Sequence, residues 1–125
     1  MGQRQIEQWE AEYPAVRDIW PLPPLQAGLL FHTRLAAGSL DVYVAQLTLE
    51  LAGAVDSDRL RSAVDAVVAR HADLRTAFVH DENGDPVQLV LDRVAVPWRE
   101  VRAGAGGAAE ILDSERGTPF DPARP

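Results

Sequence analysis

The sequence predicts an α/β protein, layered in the α+β manner, with helices covering a mixed sheet. Three observations carry that reading. Residues 56–73 repeat apolar side chains at helical spacing, residues 41–51 alternate apolar with polar side chains, and an Asn-Gly pair at 83–84 separates two β-like runs.

The elements follow in chain order. Ile6, Trp9 and Tyr13 recur at helical spacing with Glu7, Glu10 and Glu12 between them. This predicts a short amphipathic helix over 3–13, stopped by Pro14. Pro21, Pro23 and Pro24 then force extended backbone. Pro24 suits the first turn of a helix, where a missing N–H costs nothing, so a helix is expected from there to about Leu35, with Gly38 past its end. Its first half, Leu25 to His32, is apolar almost all round, unlike a surface helix.

"DVYVAQLTLEL", 41–51, reads as a half-buried strand. Tyr43, Ala45, Leu47, Leu49 and Leu51 share one face, with Gln46, Thr48 and Glu50 on the other. From residue 56 the period changes to that of a helix, with Leu60, Ala63, Val64, Val67, Val68, His71 and Leu74 on one stripe. Arg59, Arg61, Ser62, Asp65 and Asp73 mark its solvated side, and Asp56 or Ser57 can cap its start. This helix should end near His71–Asp73, after which "LRTAFVH" goes extended. "DENGD", 81–85, is a hairpin signal, with Val87–Leu91 as the return strand and a weaker extended piece over Val94–Val101. "GAGG", 104–107, breaks the chain before a short helix around Ala108, Ile111 and Leu112 that Gly117 closes. The final "TPFDPARP" has no element of its own. The expected order is helix, helix, strand, helix, strand, strand, strand, helix, with no internal repeat and an end that reads as a connector.

Composition narrows function. The 125 residues amount to one ordinary domain, and 46% are hydrophobic, enough for a core. A net charge of −7 argues against a nucleic-acid binder and against docking on anionic membranes. No apolar run approaches a membrane span, and the polar start "MGQRQIEQWEAEY" lacks a signal-peptide core. Cysteine is absent, which removes disulfides, thiolate metal sites and a cysteine nucleophile. Together these fit a cytoplasmic protein.

The chemistry-bearing side chains do not assemble into an active site. His32, His71 and His80 lack the clustering that a metal needs, so no metal site is expected. His71 lies on an apolar stripe and reads as a core-edge histidine with one hydrogen bond, and His80 beside its turn reads as solvated. His32 reads as packing or interface, with a cleft position as the other reading. There is no G-x-S-x-G and no Walker loop, and Ser39, Ser57, Ser62 and Ser114 sit in turn, cap or surface contexts. Arg70 and Arg75 draw more interest. Arg75 falls where helix gives way to strand, and is either a surface arginine or one that needs a buried carboxylate partner.

Two stretches go beyond periodicity. "PLPPLQAGLLFH", 21–32, resembles the first signature of condensation domains of nonribosomal peptide synthetases, and "RHADLRTAF", 70–78, resembles the second, R-H-x-x-L-R-T-x-F. Their order and separation are similar too, as are "VYVAQLTLEL" between them, "GDPVQLVL" after them and "PFD" at 119–121. The resemblance implies a partial chloramphenicol-acetyltransferase-like lobe: residues 1–18 as a linker helix from an upstream carrier domain, and 19–125 as the N-terminal portion of a condensation domain, incomplete at its C-terminus. It implies carrier-protein partners that bring phosphopantetheine arms, with no cofactor bound directly.

The parent reaction implied is amide-bond formation between carrier-bound aminoacyl or peptidyl thioesters. The family's H-H-x-x-x-D-G signature is absent here, so no catalytic residue is assigned and this 125-residue chain is expected to be inactive. The resemblance gives Arg75 structural support of the catalytic loop that would follow, and makes Gln26, His32, Arg70 and His71 tunnel-lining or motif residues. Leu25, Leu29, Leu30 and Phe31 become core. The wording of the first signature looks like the subtype that takes a D-configured donor. It also looks like non-catalytic condensation-like domains that recruit a cytochrome P450. A chain so divided is expected to leave a sheet edge unpaired and to self-associate.

Overall fold

The computed structural model describes residues 2–35, 44–104, 107–118 and 120–124. The expected positions Gly38 and Tyr43 lie outside the described residues, as do the central residues of "GAGG" and Pro119.

Helix α1 (Gln3–Glu12) forms where the apolar spacing predicts it, and Tyr13 N–H closes its last turn on Trp9 O at 2.7 Å, just before Pro14. Its one buried residue is Trp9, which joins Ala77, Leu89 and Leu91 in the core. Tyr13, Ala15, Val16, Ile19 and Val79 pack around this cluster. A tryptophan buries on the order of 200 Å², worth roughly 5 kcal/mol as an upper estimate. The polar, glutamate-rich segment read as a linker therefore contributes the largest side chain of the core.

Strand β1 (Val16–Pro21) was not expected as sheet. It pairs antiparallel with strand β3 (Pro86–Leu91), matching Val16 to Leu91 and Asp18 to Val90, with the register shifting between Val16 and Asp18. That irregularity places Arg17 and Asp18 side by side in the strand and breaks the apolar alternation that sequence reading relies on. Pro21 ends the strand at a sheet edge, where its missing N–H costs no ladder bond.

Strand β2 (Thr76–His80) pairs antiparallel with β3 from Thr76–Val90 to His80–Pro86, giving a three-stranded sheet of order β1-β3-β2. Both pairings among the described residues are antiparallel, and the sheet with its helices is the layered α/β arrangement expected. The central position of β3 explains its nearly continuous apolar run, with Leu89, Val90 and Leu91 all buried. The hairpin lies where Asn-Gly predicts, but not as a two-residue turn. Asp81 N donates to Asp85 O at 2.8 Å, Gly84 N donates to Asp81 O at 2.9 Å, and Gly84 alone of the turn takes positive φ, +86°. This is a three-residue loop whose left-handed position needs glycine.

Helix α2 (Pro24–Leu35) matches its predicted limits. It shares cavities with Thr76, Phe78 and His80, whose side chains leave the sheet on the face opposite Ala77 and Val79. The sheet thus lies between α1 and α2. Of the four residues expected as core of the first motif, Leu30 is buried, whereas Leu25, Leu29 and Phe31 are 76%, 36% and 60% exposed. Leu29, Leu30 and Phe31 line cavities that α2 shares with β2, Phe31 remaining largely exposed, whereas Leu25 lines neither cavity.

Helix α3 (Ser57–Arg70) starts at Asp56, which accepts from Arg59 N at 3.0 Å, and leads through a short 3-10 turn (Ala72–Leu74) into β2. None of its residues is fully buried: Val64 and Val68 of the apolar stripe are half-buried, Leu60 and Val67 are exposed, and His71 is exposed rather than at a core edge. The strand expected over 41–51 is not formed by its described part: 44–51 has no ladder partner, and Leu47, Leu49 and Leu51 are exposed. Alternation gives a strand its faces, but only a neighbouring strand gives it hydrogen bonds. Gln46 instead docks on helix α4 (Gly107–Arg116), donating to Leu112 O at 3.0 Å and accepting from Arg116 Nε at 3.2 Å. Residues 94–101 also lack strand structure. Gly117 N closes α4 on Asp113 O at 3.2 Å, as its position predicts. Among the described residues no helix is long and apolar enough to cross a membrane.

Candidate functional site

The site is built on Arg75. An α-helix leaves its last carbonyls without intrahelical donors. At the end of α3, His71 N–H takes Val67 O at 3.1 Å, and Arg75 Nη1 takes both Val68 O and Ala69 O at 2.6 Å. Arg75 Nε donates to Leu91 O at 2.9 Å, while Leu91 N donates back to Arg75 O at 2.8 Å. Arg75 is thus buried, not a surface arginine, and its side chain bonds three backbone carbonyls. A cation is favoured at a helix C-terminus, where the carbonyl dipoles point. Beside it opens a cavity of about 250 Å³, onto which Asp65, Asp92, Arg61 and Arg93 also face.

A second cavity, of about 370 Å³, gathers residues of three of the stretches that carry the family resemblance: both signatures and "PFD". Gln26, Leu29, Leu30 and Thr33 come from α2, Thr76 and Phe78 from β2, and Phe120, Asp121, Pro122 and Arg124 from the C-terminal segment. That segment is fixed by short bonds. Phe78 N donates to Pro122 O at 2.8 Å along the outer edge of β2, and the Tyr13 hydroxyl donates to Ala123 O at 3.0 Å. Burial, then the nearby Glu12 and Asp121 carboxylates, raise the Tyr13 phenol above its ordinary pKa and keep it a donor. Asp121 caps its own turn by accepting from Ala123 N at 3.0 Å and faces Arg124 Nε at 3.5 Å.

The other sequence-predicted residues are dispersed. Gln26 reaches the cavity, but His32 is exposed on α2 with its ring edge-on to Phe31, centroids 5.8 Å apart. Arg70 and His71 are exposed at the end of α3, near Arg75 in sequence but outside both cavities. His80 is half-buried and meets Arg34, whose Nη1 lies 3.1 Å from its Nε2. A guanidinium can only donate, so this contact is a hydrogen bond when Nε2 is the unprotonated nitrogen. Burial first, and the Arg34 charge second, lower its pKa below the ordinary value. Sequence reading missed Arg34, Thr33 and Arg124, because their roles depend on a helix and a terminal turn that meet only in three dimensions. Among the described residues no three potential ligands gather as a metal site.

Comparison with known proteins agrees in placing the likeness over both signatures. The Condensation domain family profile matches residues 16–114. A linear gramicidin synthase of Brevibacillus parabrevis is 33% identical over 83% of this chain and 1% of its own length. Peramine synthetase of Metarhizium majus is 37% identical over 87% of this chain and 4% of its own. Nonribosomal peptide synthetase 30 of Fusarium vanettenii is 36% identical over 85% and 2%. The chain therefore spans a few hundredths of these relatives' lengths, and it belongs to the condensation domain family.

Proposed function

We propose that this chain is a portion of a peptide-bond-forming condensation domain in a nonribosomal peptide synthetase. The observation that carries the reading is the convergence of α2, β2 and the C-terminal segment on one cavity, since these hold both signatures and the "PFD" stretch. In the parent reaction the acceptor amine attacks the donor thioester carbonyl. The C–N bond forms, the C–S bond breaks, and the proton lost by the amine restores the departing thiol. Both substrates ride on phosphopantetheine arms of carrier proteins, in the cytoplasm, and the donor is D-configured.

On this reading residues 1–18 lead in from a carrier domain, and residues 19–125 form scaffold and wall. The chain alone is inactive because it lacks H-H-x-x-x-D-G. Arg75 holds the end of α3, and on the family resemblance it supports the catalytic loop by pairing with a carboxylate of that loop. The exposed apolar residues of α2 and α3 favour self-association of the isolated chain, which sedimentation reads directly.

The test uses the polypeptide that carries this segment, with donor and acceptor carriers loaded, and detects amide-linked product by mass spectrometry. Product from that polypeptide and none from the 125-residue chain is expected. Absence of product with both carriers loaded, together with retention of a cytochrome P450, would move the assignment to a recruitment domain.

A further inference from the structure

The hairpin turn carries a feature independent of the condensation reading. In an Asn-Gly pair the glycine backbone nitrogen can attack the asparagine side-chain carbonyl, because no Cβ obstructs the approach. The Gly84 N to Asn83 Cγ bond forms, ammonia leaves, and a succinimide results. Water then opens the ring to aspartate or isoaspartate. Asn83 and Gly84 are both exposed, so solvent reaches them.

The fold opposes the ring closure. Gly84 N–H is engaged with Asp81 O at 2.9 Å and is not free to act as a nucleophile. Asn83 Nδ2 donates to Asp81 Oδ2 at 3.4 Å, which holds the carboxamide toward residue 81 and away from its own following peptide. Asp81 Oδ1 accepts from Asn83 N and from Asp85 N, each at 2.9 Å, and fixes the loop from both sides. These backbone donors, Asp85 first, also lower the Asp81 pKa, so the carboxylate stays charged as an acceptor. Outside the turn, Gln5 Oε1 accepts from Glu82 N at 2.9 Å.

We propose that Asn83–Gly84 is a spontaneous deamidation site that the Asp81 side chain restrains in the folded protein. Opening the turn releases the chemistry, and the isoaspartate product lengthens the main chain by a methylene inside a three-residue loop. The hairpin then loses the geometry that presents Glu82 to Gln5, so the modification loosens α1.

The 125-residue chain is incubated at neutral pH in native buffer and in denaturant, and isoaspartate at position 83 is quantified by peptide mapping. Deamidation on the order of tenfold faster in denaturant is expected, because several turn hydrogen bonds must open first. In native buffer Asp81→Ala should approach the denatured rate. Asp81→Asn keeps an acceptor for the backbone donors but weakens the hold on the Asn83 side chain, and should fall between. Circular dichroism identifies any variant that fails to fold, and the comparison of parent protein with and without denaturant needs no variant. Equal rates for the parent in both buffers, or a folded Asp81→Asn no faster than the parent, would overturn the proposal.

Discussion

Gln5 pairs with the hairpin backbone as a strand would, its Oε1 accepting from Glu82 N at 2.9 Å and its Nε2 donating to His80 O at 3.4 Å. One side-chain amide thereby fixes the start of α1 to the turn of the sheet. Gln5→Ala leaves a donor and an acceptor to water, and is expected to lower stability by about 1 kcal/mol. The Glu82 amide should exchange faster in the variant, and unchanged exchange there would show that the clamp contributes nothing.

Trp9 makes a larger claim for the same helix. Trp9→Ala should cost about 3–5 kcal/mol, as deletion of a buried aromatic does. Urea unfolding of parent and variant measures it. A loss below about 1 kcal/mol would mean that α1 is an appendage rather than core.

Arg75 should tolerate no conservative exchange. Arg75→Ala strands the carbonyls of Val68, Ala69 and Leu91, at roughly 3 kcal/mol in total. Arg75→Lys keeps the charge but not the fork that reaches helix and strand at once, and should recover less than half of that loss. Equal stability of parent and lysine variant would show that charge at the helix end is sufficient.

His80 gives a pH dependence with a definite sign. Its folded pKa is lowered from 6.5, so the unfolded chain takes the proton first as pH falls. The groups facing it are Arg34, which lowers the pKa, and Asp81, which partly opposes that. Its contribution is complete above the unfolded pKa and is lost as pH falls through the folded one. Denaturation midpoints at about pH 7.5 and about pH 5.5 should differ more for the parent than for His80→Gln. Identical differences would remove His80 from the account.

Much of this architecture was legible in advance, for identifiable reasons. α2 and α3 carry start signals that act locally, Pro24 and Asp56, and both begin where these stand. The hairpin was legible through Asn83–Gly84, although the loop chose glycine alone for the left-handed position. β1 was not, because the shift at Arg17–Asp18 hides its alternation. The 44–51 segment erred the other way: its pattern is that of a strand, yet nothing among the described residues pairs with it. For the site, Arg75 was found as a position but not as a bond, since its partners are backbone carbonyls that carry no residue-specific signal. The burial of α2 was over-read at Leu25, Leu29 and Phe31 because apolar character records what a face can bury, not what lies against it.

The attachment of α3 has a mechanical consequence. None of its side chains is fully buried, while its final carbonyls are gripped by a guanidinium that also grips the end of β3. At its other end Ser57 hydrogen-bonds the Glu100 side chain, and Arg61 and Asp65 share a cavity with residues 92–96, so the segment that follows β3 ties the helix at its start as well. Arg75 is therefore one of two tethers, and a layer that comes to rest on the exposed part of the α3 stripe meets a helix whose direction is already set at both ends.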